Sequence, residues 1–490
     1  MSDFTLDITA GRDRSTPEPL DETPFRIALL GDWTGRGSRG VVEPGARISV
    51  RQPHRVDRDD LDEILSDLAP MVALRLEPTG EPLVIRFATL DDFHPDQLYA
   101  RLPIFQALRD LRARLNDARE FPAAAREMAG EAPPAPVRAP AGGLLDSILD
   151  DAAPLDTNEA LAASGGDLHR FLQQVLKPHL VARADPRQAE LVAQVDAAAS
   201  ATMRAILHHP AVQSLEALWR GADLLVRRVD TSTDLRIELI DLTEAELHAS
   251  LTPGGDPATS PLFQLLSRQS QSAPWALLAG GYRLGGDPTD VERLAQLAAI
   301  GHLLRAPWIG EAHPRLVGVT SLAAQPDAAD WHPVADPAWD LVRSSPLARS
   351  VGLALPRFLL RLPYGAEFDT SESFAFEELE KDPPHEAYLW GPAAFAVALI
   401  LGRAFADAGG WSLLGSVDPE VGGLPHLVRG RGANAVALPC AEVLMTERGG
   451  ARLLDRGLMP LASLKDQDRI RLLRLQSVAH PVAALAGRWS

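Results

Sequence analysis

The residues of this 490-residue chain that could do chemistry fall in a few short clusters. The apolar run Phe25-Arg26-Ile27-Ala28-Leu29-Leu30 ends in Gly31-Asp32-Trp33-Thr34-Gly35-Arg36-Gly37-Ser38-Arg39-Gly40. A strand that feeds a glycine-rich turn can present backbone N–H groups to a phosphate. The Gly-Lys-Ser/Thr ending of a nucleotide loop is missing, and Pro44-Gly45 and a strand-like run follow in place of a helix. A mobile surface loop is the plainer expectation. The alternative is a phosphate-ligand-binding α/β enzyme that uses Gly31–Gly40.

The other clusters read as structure. His94 lies among Asp91, Asp92 and Asp96, the spacing of a metal corner, but without a second His or Cys nearby it reads as a turn histidine. His208 and His209 are neighbours, so on a helix they point different ways and suit capping better than joint metal binding. Asp57 to Asp67 crowd acids at a helix start, where they complement its dipole. The single cysteine, Cys440, excludes an internal disulfide, and its Leu438-Pro439-Cys440-Ala441 setting is that of a packed thiol. No serine sits in a Gly-x-Ser-x-Gly elbow. Trp219, Trp275, Trp308, Trp331, Trp339, Trp390 and Trp411 are scattered, as core and interface anchors are. The expectation is a protein without catalytic residues, metal or cofactor.

Composition narrows the class further. A hydrophobic fraction of 46% with 23% charged residues is globular. The net charge of -18 argues against nucleic-acid binding through the overall field. The longest apolar run, Gly391 to Gly402, falls short of the roughly 20 residues a spanning helix needs, and the amino terminus has no signal-peptide core. A cytoplasmic protein is expected, without membrane insertion.

The elements that must position these residues follow from periodicity. Phe4, Leu6 and Ile8 alternate like a short strand, and residues 10–23 are a polar connector. A helix follows over Asp57–Pro70, then a strand over Leu83–Phe87, then a helix that Pro103 interrupts. The Pro/Ala/Gly-rich stretch 124–142 is a linker between regions 1–123 and 143–490. Beyond it Leu144, Leu145, Ile148 and Leu149 form a short apolar helix that docks on the body or awaits a partner, and a long helical stretch runs from Asp167 to Ile206.

Pro210 opens an amphipathic helix through Val226, with Gly221 its soft spot or its carboxyl cap. Leu235, Ile237 and Leu239 alternate with Arg236 and Glu238, the period of a half-buried strand. Pro274–Tyr282 is a buried strand whose glycine turn echoes Phe25–Asp32, so two related half-domains are conceivable. Asp287 caps the next helix, Ala306–Gly310 is a short strand, Gly391–Gly402 a buried helix, and the pattern ends after Gln476-Ser477-Val478. The fold class is α/β (mixed α+β).

Three blocks carry a family resemblance: Ile206–Gly221, Val351–Gly365 and Tyr388–Gly391. They resemble the large subunit of the type VI secretion contractile sheath (TssC). Pro24–Asp32, Val56–Leu65 and Leu90–Pro95 resemble the small subunit, TssB. The chain looks like both subunits fused, with residues 1–123 TssB-like and 143–490 TssC-like. The resemblance implies a sheath-protomer-like body, mixed sheets flanked by helices with both parts packed together, and a structural role. The partners it implies are sheath subunits (self or paralogues), an inner tube protein, baseplate components and a sheath-disassembling ATPase. It places Phe4, Leu6 and Ile8 where a small-subunit strand joins a neighbour, and Leu144, Leu145, Ile148 and Leu149 where the ATPase engages. Family large subunits continue past the block at Gln476–Val478, and their tail strands pair with neighbours. A chain stopping at Ser490 is therefore expected to propagate a lattice weakly, as a terminal, baseplate-proximal or regulatory piece.

Overall fold

The computed structural model describes residues 23–76, 81–129, 185, 187–251, 255–271, 273–285, 287–333, 336–411, 418–429 and 436–489. Phe4, Leu6 and Ile8, Leu144, Leu145, Ile148 and Leu149, and the first part of the 167–206 helical stretch lie outside the described residues. The chain divides into two units, one of residues 1–98 with 202–490 and one of Tyr99–Ala201.

The first unit is built on a nine-stranded sheet. Its first strand, β1 (Phe25–Gly31), is apolar but for Arg26 and fully buried because both of its edges are paired. The chain then forms the short helix α1 (Gly45–Ile48) where a strand-like run was expected, because Pro44 caps it and Ile48 turns into the core. Next come β2 (His54–Val56), α2 (Leu61–Leu68), the hairpin β3 (Met71–Leu74) and β4 (Leu83–Arg86), and α3 (Pro95–Arg101). Asp62 and Glu63 fill the first turn of α2, as the sequence suggested.

The helical unit holds α4 (Pro103–Asn116), α5 (Phe121–Met128) and most of α6 (Gln188–Leu207). Pro103 takes the first position of α4 with Leu102 as its cap, so the proline separates two helices. Regular structure runs on to Met128. Leu115, Phe121, Ala124 and Val195 form a small core, with Arg112 paired to Asp196 at 2.7 Å across it.

In the first unit, α7 (Pro210–Arg228) leads into β5 (Leu235–Asp241), then α8 (Glu244–Ser250), α9 (Pro261–Gln269), β6 (Trp275–Leu284), α10 (Pro288–Leu304), β7 (Trp308–Ala312), α11 (Pro337–Ser344) and β8 (Val351–Leu355). The pairs β9 (Phe358–Leu359) with β10 (Trp390–Gly391), and later β12 (Val428–Arg429) with β13 (Val436–Ala437), stand apart from the large sheet. Between and after them come α12 (Ala393–Ala408), β11 (Glu420–Val421), α13 (Glu447–Asp455), β14 (Met459–Ser463) and β15 (Ile470–Leu472). The sheet order is β11-β15-β14-β8-β7-β6-β1-β5-β2. The run from β14 to β5 is parallel, and β2, β15 and β11 close the sheet antiparallel.

β1 therefore lies between β5 and β6, strands more than two hundred positions downstream. The echo between Phe25–Asp32 and the Pro274 strand is no sign of two half-domains; the two segments are adjacent strands of one sheet. α7 and α12 cover one face, where α12 is apolar all round from Ala393 to Gly402 because that stretch is enclosed. On the other face α8, α9 and α10 share a core with Ala28, Leu30, Ile240 and Leu278. Glu238 is not on a wet face of β5. It is 8% exposed and makes a bidentate pair with Arg26 of the adjoining strand, 2.7 Å on each arm, while Arg26 also stacks on Trp275. The fold continues past Val478. Residues 478–489 hydrogen-bond across the amino ends of β8 and β6, and Trp489 stacks on Phe25.

Gly221 is no cap, since α7 runs seven residues further to Arg228. A Cβ there would lie 2.7 Å from the ring of Phe395 on α12, so the glycine sets how closely the two helices cross. Gly221→Val is expected to cost about 1–3 kcal/mol through overpacking, read as a lower urea midpoint at unchanged slope.

Candidate functional site

All the parallel strands end on one side of the sheet, where ligands of open α/β folds bind. The Gly31–Gly40 loop is at this side. Gly35, at φ +67°, brings the turn against the Met71 carbonyl. The Asp32 carboxylate accepts the N–H of Arg36 at 2.9 Å and of Gly37 at 2.8 Å. The backbone donors a phosphate would need are thus already taken by a carboxylate of the loop itself. That argues against the phosphate reading at this turn.

The loop is also fastened rather than free. Arg36 reaches Asp241 at 2.9 Å and Glu246 at 3.1 Å, and Arg51 bridges Glu246 (2.8 Å) and Glu43 (2.7 Å). Glu246 closes a capping box with Thr243 at the start of α8. Burial opposes its ionisation, yet hydrogen bonds from Arg51 and from the Thr243 and Glu43 amides hold its carboxyl below the usual range. Asp241 is pushed up to about 6 by burial, with Asp32 adding to the shift and Arg36 and Arg51 opposing it. Burial also raises Asp32.

Above these groups a crevice of about 740 Å³ opens between the carboxyl ends of the strands and the first turns of α7. One wall is Pro210, Ala211, Ser214, Leu215 and Leu218, with Trp390 and Pro392 beside it. The floor is Gly281 and Tyr282, and the facing wall carries Asp32, Thr243, Glu244 and His248, with Arg283, Glu311 and Arg357 at one end. Arg283 pairs with Glu311, and Arg357 with Glu442 at 2.6 Å and Glu386 at 3.1 Å.

A second buried network fixes the α7 wall. Arg361 joins Glu216 of α7 (2.8 Å) to Glu378 (2.7 Å), Arg220 adds Glu216 and the Tyr364 hydroxyl, and Arg361 stacks on Tyr364. Burial resists the charge on Glu378, but Arg361, His208 and the Tyr364 amide bring it down to about 2. Likewise His385 and Arg357 hold Glu442 at about 2 against its burial. The paired acids are spread over distant segments, so spacing could not reveal them. The available signal was charge inside apolar runs: Arg26, Glu216, Glu238 and Arg361.

The remaining sequence candidates are placed as structure. His94 accepts the Asp96 N–H at 3.2 Å and packs edge-on to Tyr364. His209 caps α7 by accepting the Ala211 N–H at 3.2 Å. Cys440 is buried, its thiol pushed up to about 11 by burial. Among the described residues no group of His, Cys, Asp and Glu has metal-site geometry. Trp33, which joins Trp219 edge-on at 5.2 Å beneath the loop, is an anchor the sequence reading passed over.

Comparison with known families places these features. Residues 189–479 match the family model of VipB, described as a tail sheath N-terminal domain, and residues 13–128 match that of type VI secretion system VipA. The chain is 33% identical over 304 residues to the type VI secretion system sheath protein TssC1 of Pseudomonas aeruginosa, a match covering 59% of this chain and 61% of that protein. The chain thus spans less than two thirds of that relative's length.

Removing one member of the Glu216–Arg361–Glu378 network strands buried charge. Arg361→Met is expected to destabilise the fold by about 3–5 kcal/mol in denaturant titration. Glu378 and Glu442 have folded values below their ordinary 4.5, so their contribution is present above pH 4.5 and is lost as pH falls toward about 2. The melting temperature should fall across that window, and less steeply in Glu378→Gln, as differential scanning calorimetry would show.

Proposed function

Because the chain belongs to the type VI secretion tail-sheath family, with VipA-like and VipB-like regions in one polypeptide, we propose that it is a ready-made sheath protomer that assembles with sheath partners in the bacterial cytoplasm. Small and large subunits, elsewhere separate chains by the resemblance, are here one. The observation that carries this reading is the position of β1. It comes from the VipA-like region, yet it is hydrogen-bonded on both edges to strands of the VipB-like region and is fully buried between them. The two regions share one sheet, so a one-to-one protomer is built into the chain.

The finer role we propose is an accessory one, terminal, baseplate-proximal or regulatory, working beside the inner tube, baseplate components and a sheath-disassembling ATPase. Phe4, Leu6 and Ile8 would serve as the strand offered to a neighbour, and Leu144, Leu145, Ile148 and Leu149 as the docking helix. A structural rather than catalytic role fits the phosphate-loop amides being engaged by Asp32. Among the described residues no helix is long and apolar enough to cross a membrane.

Two measurements test the reading. With a protease site engineered at Pro136-Val137, the cleaved halves are expected to co-elute in native buffer and to part only in denaturant. Separation in native buffer would sink the one-protomer reading. In negative-stain microscopy the protein alone should form no long tubes, yet it should enter tubes built from separate sheath subunits and tube protein. Long tubes formed unaided would rule out the accessory role.

A further inference from the structure

The crevice at the carboxyl ends of the strands has a sign opposite to the one its glycine-rich rim suggests. On the wall made by the rim and α8, Asp32 and Glu244 line the crevice, while behind them Arg36 and Arg51 are spent on Asp241 and Glu246. Asp32 is satisfied by backbone amides rather than by a guanidinium, and Glu244 is 65% exposed with only His248 beside it, at 3.7 Å. The Arg283 and Arg357 side chains at the end of the crevice are already engaged by Glu311 and Glu442. Tyr282 on the floor registers the imbalance. Burial, and then the carboxylates of Asp241, Asp32, Glu246 and Glu244, raise its hydroxyl well above the ordinary value. An anion entering here meets repulsion and finds the Arg36 and Gly37 amides already engaged by Asp32, whereas a cation completes the charge balance.

The other wall is apolar and helical. Ala211, Ser214, Leu215 and Leu218 line it at three- and four-residue spacing, with Leu215 and Leu218 packed into the wall at 2% and 5% exposure and Ala211 and Ser214 open to the crevice. Ala211 and Ser214 are small, and Ser214 is exposed, so a second helix can approach α7 along this ridge. A volume of about 740 Å³ admits several side chains but no folded domain. We propose that the crevice is a docking site for a basic amphipathic helix of a partner protein, its apolar side seated on the first turns of α7 and its lysines or arginines facing Asp32 and Glu244. The proposal is independent of lattice formation: a chain that joins tubes normally but binds no basic helix refutes it and leaves the sheath reading standing.

The probe is a labelled leucine–lysine peptide of about four helical turns, titrated with the full chain by fluorescence anisotropy. The expected result is saturable binding, weakened about tenfold or more by Glu244→Lys and by Ser214→Trp. Asp407→Lys, the same charge change on the last turn of α12, should leave binding as it was. Unchanged melting temperatures for Glu244→Lys and Ser214→Trp, both at exposed positions, keep the comparison clean. Equal binding by all three variants, equal binding of a leucine–glutamate peptide, or no saturable binding would each overturn the proposal. So would displacement by spermine at the peptide's own concentration, which would mean that charge alone was recognised.

Discussion

The body depends on one strand having a neighbour on each side. β1 contributes seven residues, all buried, and its register against β5 is unbroken from Phe25–Leu235 to Gly31–Asp241. A central parallel strand is apolar on both faces and has no edge left for solvent, so without it two long edges would open in the middle of the sheet. The covers on each face depend on it in turn. Ile27 backs Gly402 of α12 on one side, and Ala28 and Leu30 join the core under α9 and α10 on the other. Within the first unit, strands of two subunit-like regions share one sheet because of this insertion.

Charge fixes what apolar burial leaves loose. A row of leucines and isoleucines tolerates a shift along the strand better than a bidentate ion pair does. The Arg26–Glu238 pair, itself buried between β1 and β5, holds their alignment. Arg361 between Glu216 and Glu378 does the same for α7 against the loop that follows β9, and Arg36 and Arg51 do it for the turn after β1. All but Arg361–Glu378 join segments far apart in the chain. The acidic balance of the whole protein thus coexists with an interior in which these guanidiniums are each engaged by carboxylates.

Much of this was legible in the sequence. The mostly apolar β1, the capped helix at Asp287, the enclosed first turns of α12 and the break at Pro103 follow from local pattern, because each is set by neighbouring residues. What escaped was set by residues from elsewhere. Glu238 reads as solvent-facing until Arg26 is placed beside it, and Gly221 reads as a helix end until Phe395 crosses it. Gly31–Gly40 has the glycine spacing of an anion cradle, and the aspartate that fills its donors sits inside the same motif. A compositional signal for a loop carries no sign of charge. Only the fold, by crowding Asp241 and Glu246 under that loop, gives it one.

The seal made by Trp489 over Phe25 bears on when the protein can fold. β1 leaves the ribosome first, but β5 starts at Leu235 and β6 at Trp275, while the ring that closes over its amino end is at position 489. At about 5–20 residues per second, the nascent strand waits roughly 10–40 s for its first partner. Through that interval a segment apolar but for Arg26, with two open edges, is exposed, a hazard that short-range contacts cannot relieve. Fusing two subunits secures their stoichiometry, and it lengthens the time during which the central strand must be shielded by something other than its own fold.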